Sequence, residues 1–203
     1  METLGKLFCS TARVKILRLF LSNPERIYSP EDVARRSKVM PREARKELKL
    51  LESIDFIKAK SGSMIIGGVD GTAEEKVQIR GFQTNTLFPF FSALKALLVN
   101  TAPFRKEEII SRFRGVGRVK LIVIAGVFTQ DEDSRADILV VADDIKKRAL
   151  DIAVKGIEAE IGRELHYGVF ESKDFLYRIG VYDKFVRDIL DYPHEKIVDK
   201  IGI

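Results

Sequence analysis

The chain has 203 residues, 32% of them charged and 45% apolar, with a net charge of +5. That length can bury a real core as one large or two small domains, and the balance is that of a globular chain rather than a disordered one. The apolar run 121–128 is eight residues long, far short of the roughly 18 to 20 that span a bilayer, and the first residues lack the apolar core of a signal peptide, so a cytoplasmic protein without a membrane partner is expected.

In chain order, Leu4, Leu7, Val14, Leu17 and Leu21 recur at helical steps with Phe8 and Phe20 beside them, which predicts an amphipathic core helix ending near Asn23 and Pro24. Ser10 is a candidate cap dividing a short leading turn from the main helix, but Arg13 rather than Glu at the third position makes no capping box. Cys9 is the single cysteine, with no partner for a disulfide or a cysteine zinc site, and is expected as a small buried apolar residue.

Ser29-Pro30-Glu31-Asp32 is a well-marked helix start: a hydroxyl cap, Pro where its missing N–H costs nothing, and two carboxylates in the positive first turn. A helix over 29–37 follows, with Val33 and Ala34 inward, then a turn at Lys38-Val39-Met40, then a second helix opened by Pro41. Setting Ala44 at zero and stepping about 100° per residue puts Leu48 near roughly 40° and Leu51 near roughly 340°, an apolar stripe. Arg42, Lys46 and Lys49 fall on the opposite side, near roughly 160°, 200° and 140°, with Arg45 at roughly 100° on the flank and Glu43 as an acidic exception. A charged face of this kind is as often merely solvated as functional.

The surroundings favour function. Residues 1–60 hold 14 Lys and Arg against 8 Asp and Glu, and the remaining 143 hold 21 against 22. The excess positive charge lies around the two helices, as expected when one part of a chain meets nucleic acid; an acidic protein or an anionic lipid would attract the same charge. Residues 54–60 read as a strand and 76–80 as its return, joined by a glycine-dotted connection. Two helices, a turn and a hairpin outline a winged helix-turn-helix over 1–82. In such folds the second helix enters the major groove, and Lys58, Lys60, Lys76 and Arg80 of the hairpin are candidates to clamp flanking phosphates. The Ile65-Ile66-Gly67-Gly68-Val69 insert is expected as a further hairpin strand, a mobile tip, or apolar surface for a protein contact, and no phosphate-loop pattern occurs anywhere in the chain.

A strongly apolar helix is expected over 87–99, packing on its own chain or forming a homodimer interface, and Pro103 ends it. With a short helix over 104–113 it makes a linker, 83–116, to a second domain at 117–203. There, strands at 119–125, 137–142 and 165–170 and a helix over 143–161 predict a small α/β unit, and the fold class is α+β. Gly115-Val116-Gly117 precedes a strand and is no dinucleotide fingerprint.

The run Leu121-Ile122-Val123-Ile124-Ala125-Gly126-Val127-Phe128, followed by an acidic loop and Ser134-Arg135-Ala136-Asp137-Ile138-Leu139-Val140-Val141, resembles the minimal nucleotidyltransferase domains of the DNA polymerase beta superfamily. The signature there is a Gly-Ser at the end of the first strand and an Asp-x-Asp pair at the next. The serine and backbone amides hold a triphosphate while the two carboxylates share magnesium ions. Here Gly126 remains, but Val127 stands where the serine belongs and Arg135 where the first aspartate belongs, leaving Asp137 alone. The third strand, 165–170, adds no carboxylate, so the resemblance implies a catalytically inactive domain with no metal and no cofactor. Arg135 is expected to take the missing cation's place by pairing with Asp137. Asp131, Glu132, Asp133, Asp143 and Asp144 read as exposed turns and a helix start rather than a substitute metal site, and His166 and His194 stand too far apart in sequence to suggest a pair.

The combination, from Leu4-Gly5-Lys6-Leu7-Phe8 to a C-terminal helix over 183–190, resembles a family of predicted prokaryotic transcriptional regulators. The resemblance implies a homodimer that binds double-stranded DNA and uses its second domain for assembly or for sensing a small-molecule effector. An active nucleotidyltransferase and an antitoxin-like module that docks a partner protein are the competing expectations.

Overall fold

The computed structural model describes residues 2–66, 75–99, 106–129, 131 and 134–203 of the chain. It is an α+β protein that divides into two compact units, Met1–Thr101 with Ala159–Arg163, and Ala102–Glu158 with Glu164–Ile203. Among the described residues no helix is long and apolar enough to cross a membrane.

In the first unit, α1 (Glu2–Leu7) and α2 (Thr11–Ser22) are separated as Ser10 suggests: its side chain accepts a hydrogen bond from the Arg13 amide at 3.0 Å. Two expectations fail at this junction. Cys9 is exposed rather than buried, with φ of 55°, because it turns the chain between the helices. Leu7 is also exposed, since the break rotates α1 off the register that carries Val14, Leu17 and Leu21 into the core.

Helix α3 (Pro30–Ser37) starts at Ser29, whose side chain accepts from the Asp32 amide, and ends at Lys38 in the left-handed region, φ 49°. Helix α4 (Pro41–Ser53) follows. Its Pro occupies the first turn as in α3, but Met40 in the cap position supplies no side-chain hydrogen bond. The unit's core joins Val14, Leu17, Phe20 and Leu21 of α2 to Val33 of α3 and to Ala44, Leu48 and Leu51 of α4. Burying aliphatic and aromatic side chains of this kind contributes about 1.5–3 kcal/mol each.

The strand expected from residue 54 begins three residues later. Asp55 adopts φ of 60° and the exposed Ile54 caps α4, so β1 runs Ile57–Ile66 and pairs antiparallel with β2 (Glu75–Thr84) in unbroken register from Ile57↔Thr84 to Ile66↔Glu75. Ile65 and Ile66 of the expected insert therefore extend β1, while Gly67, Gly68 and Val69 lie outside the described residues. Tyr28 adds an antiparallel bridge to Phe82, with both backbone hydrogen bonds at 2.9 Å. Gly81 permits it: a Cβ there would stand 2.2 Å from the Tyr28 carbonyl oxygen.

The apolar helix expected over 87–99 is shorter, α5 (Phe91–Leu98), preceded by turns. Phe88, Phe91, Leu94 and Leu98 pack on the first unit's core, whereas Leu87, Phe90 and Leu97 are exposed. The segment 83–116 is thus not a separate body: its part up to Thr101 belongs to the first unit. Pro103 and Phe104 lie outside the described residues.

The second unit holds α6 (Lys106–Arg112) and a four-stranded sheet in the order β5-β4-β3-β6. Strands β3 (Arg118–Ile124) and β4 (Ile138–Asp143) are antiparallel; β5 (Tyr167–Phe170) joins β4 in parallel after helix α7 (Lys147–Ile161), and β6 (Glu195–Asp199) closes the other edge antiparallel to β3. Leu121 and Val123 alternate onto one face, with Leu139 and Val141, where Phe175 of α8 (Ser172–Gly180) and Val186 and Ile189 of α9 (Lys184–Asp191) cover them.

Candidate nucleic-acid interface

The apolar stripe of α4 is buried, with Ala44, Leu48 and Leu51 all at 2% exposure or less, and this fixes which way its opposite face turns. Arg42, Arg45, Lys46 and Lys49 are exposed, four cations on one helix. Arg45 lies 3.5 Å from Glu31 of α3, but both ends of that pair stand mostly in solvent, where such contacts contribute about 0–1 kcal/mol and yield readily. Among the described residues Arg42, Lys46 and Lys49 make no ion pair.

What holds α4 at this rotation includes a residue the periodicity did not single out. Glu47 is 4% exposed, and Arg13 of α2 donates to its carboxylate from Nε at 2.8 Å while Nη1 donates to the Phe8 carbonyl oxygen at 3.0 Å. On the helical wheel Glu47 lies at roughly 300°, next to Leu51. A carboxylate on the edge of an apolar stripe is the signal that could have prompted a search for a buried cationic partner. Removing either partner would leave the other charge poorly solvated, so the pair fixes how α4 lies on α2. Helix α3 is anchored at its start by a separate set of bonds: Ser29 Oγ donates to Asp32, and Asp32 accepts from Arg35 at 2.5 Å. Partial burial pushes the Asp32 carboxyl up, but the hydrogen bonds from Arg35 and Ser29 outweigh it and hold the group below its ordinary value.

The hairpin cations divide by register. Lys58 and Lys60 share one face with their partners Gln83 and Gly81, whereas Arg80, paired with Ser61, belongs to the opposite face, which carries Phe82 and the buried Thr84 at its base. Of the four candidate clamp residues, Lys58 and Lys60 therefore stand on one face of the hairpin and Arg80 on the other, because side chains alternate along each strand. Lys60 donates to the Gln83 side-chain oxygen at 2.6 Å, and Gln83 donates to the Glu25 carbonyl oxygen at 2.8 Å, which ties the Lys58–Lys60 face to the chain ahead of α3. Lys76 lies outside the described side chains.

The second set of candidate residues meets at the C-terminal end of β3. Gly126 turns the chain in the left-handed region, φ 54°, where a Cβ would come within 2.4 Å of Asp137 Oδ1. Asp137 is 3% exposed, and its carboxylate accepts from the Val127 amide and from the His166 amide, each at 2.9 Å. The expected pairing of Arg135 with Asp137 does not occur. Arg135 instead forms an ion pair with Asp188 of α9 at 2.8 Å, since the buried Asp137 already takes its donors from the backbone. The Ser172 hydroxyl beside Asp143, and then the Ser172 amide that donates to it at 3.2 Å, hold its carboxyl below the ordinary value. Asp144 pairs with Arg118 at 2.9 Å. Glu132 and Asp133 lie outside the described residues, and among the described ones no group of three His, Cys, Asp or Glu side chains is placed to hold a metal ion. His166 approaches Asp137 through its ring nitrogen at 3.8 Å but is largely exposed.

Comparison of the chain with protein-family models, with curated proteins and with solved structures gave no match. Function is therefore argued from the site alone.

Proposed function

We propose that the chain is a double-stranded DNA-binding transcriptional regulator of the winged helix-turn-helix type. The observation that carries this reading is α4: its apolar stripe is buried while Arg42, Arg45, Lys46 and Lys49 face solvent, on a helix preceded by a capped helix and a tight turn. Such a helix suits the major groove, where Arg and Lys donate to guanine edges or to phosphates. Lys58 and Lys60 of the hairpin then contact flanking phosphates, which position a protein on DNA without selecting sequence.

In this reading the second unit is a nucleotidyltransferase-like domain without catalysis. Supporting it are Val127 and Arg135 in the signature positions and Asp137 engaged by two backbone amides rather than open to a cation. The domain serves assembly or effector sensing, and in the first unit the exposed Leu87, Phe90 and Leu97 supply apolar surface for a homodimer. Two α4 helices of a dimer on a simple palindrome stand one DNA turn apart, about 34–36 Å.

Gel-shift assays on fragments of the source genome test the proposal, with light scattering for the dimer. Retarded complexes that vanish in Arg45→Ala plus Lys46→Ala are expected. Unchanged retardation in that variant would reject the assignment of α4.

A further inference from the structure

At the end of β3 remote from Gly126, the second unit has an open cavity of about 430 Å³ walled by the last turn of α6, the Gly115–Gly117 bend and strands β3 and β6. Its floor is apolar, with the half-buried Ile110, Val119 and Val198 over the buried Phe113 and Ile122, and four of its eleven lining residues are cations: Arg114, Arg118, Lys120 and Lys200. Among the described residues no carboxylate lines it. Of the nearby acids, Asp144 pairs with the lining Arg118, Asp143 accepts from the Ser172 amide and is also attracted by Arg118 and Lys120, and Asp199 accepts from the Ile201 and Gly202 amides at 3.0 and 2.8 Å. Among the described residues Arg114, Lys120 and Lys200 make no ion pair. At Gly115, φ 86°, a Cβ would meet nothing within 4 Å, so the rim is open.

Cations gathered over an apolar floor disfavour one another until an anion arrives, and a volume of this size matches small-ligand sites. We infer that this cavity binds a small organic phosphate, an apolar ring resting on Ile110, Val119 and Val198 with its phosphate between Arg114, Lys120 and Lys200. Arginine offers two parallel donors to such a group and the lysines add point charge. The inference stands apart from DNA binding, because it concerns a separate surface with its own readout; if both hold, the cavity is where an effector acts.

The test is a titration of the ¹⁵N-labelled full chain with phenyl phosphate, inorganic phosphate and phenol, followed by amide shifts. Phenyl phosphate is expected to give saturable shifts centred on Gly115, Gly117, Lys120 and Lys200, with inorganic phosphate and phenol at least tenfold weaker. Arg114→Glu plus Lys200→Glu should weaken phenyl phosphate at least tenfold, while Lys173→Glu plus Lys184→Glu, the same charge change on α8 and α9, leaves it unaltered. The pair Arg114→Gln and Lys200→Gln, which removes only the two charges, should weaken it in the same direction if the Glu pair unfolds. Shifts centred elsewhere, equal affinity for inorganic phosphate, or equal losses in both charge-reversed variants would overturn the inference.

Discussion

Replacing Asp137 tests whether its carboxylate is a structural acceptor or an idle metal ligand. The side chain is 5% exposed and accepts two backbone N–H bonds of 2.9 Å, from Val127 and His166. Hydrogen bonds to a charged group contribute about 1.5–3 kcal/mol each, and an amide left without an acceptor adds its own penalty. Asp137→Ala therefore costs about 3–5 kcal/mol, at the severe end for single substitutions. Asp137→Asn keeps one carbonyl oxygen but turns an NH₂ toward the other amide, and costs about half as much. For a unit of this size, about 1 kcal/mol moves the melting temperature by about 4–8 °C, so the alanine variant should melt about 12 °C or more below wild type. Thermal unfolding followed by circular dichroism measures the loss, and hydrogen exchange locates it, with the Val127 and His166 amides losing protection first. A cost under about 1 kcal/mol with both amides still protected would refute the reasoning and leave the carboxylate free for a cation.

Other consequences follow from the same contacts. Gly81→Ala drives a Cβ to within 2.2 Å of the Tyr28 carbonyl oxygen and should destabilise by about 1–3 kcal/mol, the usual range for overpacking; exchange at the Tyr28 and Phe82 amides reads the lost bridge, and a wild-type melt would contradict it. In a double-mutant cycle on Arg13→Ala and Glu47→Ala, a coupling of about 1–3 kcal/mol is expected, whereas additive effects would mean the pair does not fix α4. The carboxyls of Asp32, Asp143 and Asp199 lie below the ordinary value in the folded chain. The unfolded chain takes up these protons first, so the three groups contribute stability above about pH 4 and lose it as pH falls through their folded values. Carboxyl titration by NMR should show all three below about 3.9, and ordinary values would remove this part of the acid sensitivity.

Local chemistry made much of the first unit readable in the sequence. Ser29-Pro30-Glu31-Asp32 marks the start of α3 because each residue type acts on its own turn, and the stripe Ala44, Leu48, Leu51 follows from helical period alone. Tertiary geometry hid the rest. The burial of Glu47 depends on Arg13, 34 residues away, and the division between Lys58 and Arg80 depends on hairpin register, which no single strand reveals. Cys9 resembles a core residue until the turn between α1 and α2 exposes it. In the second unit the apolar runs of β3 and β4 mark them as strands, while β6, with the charged sequence Glu195-Lys196-Ile197-Val198-Asp199, carries no such mark because its edge position asks for little apolar surface. Analogy with a cation puts Arg135 beside Asp137; the structure instead satisfies that carboxylate with amides that carry no side-chain signature.

Whether the cations of α4 meet phosphates is measured most directly by the salt dependence of DNA affinity. For a duplex that the protein retards, the logarithm of the association constant should fall linearly with the logarithm of salt concentration, by about 0.9 per phosphate neutralised. Lys46→Ala and Lys49→Ala should each reduce the slope by about one wherever the residue contacts phosphate, while Lys173→Ala on α8 leaves it unchanged. A slope near zero, or one that the α4 variants and the α8 control alter alike, would contradict the account.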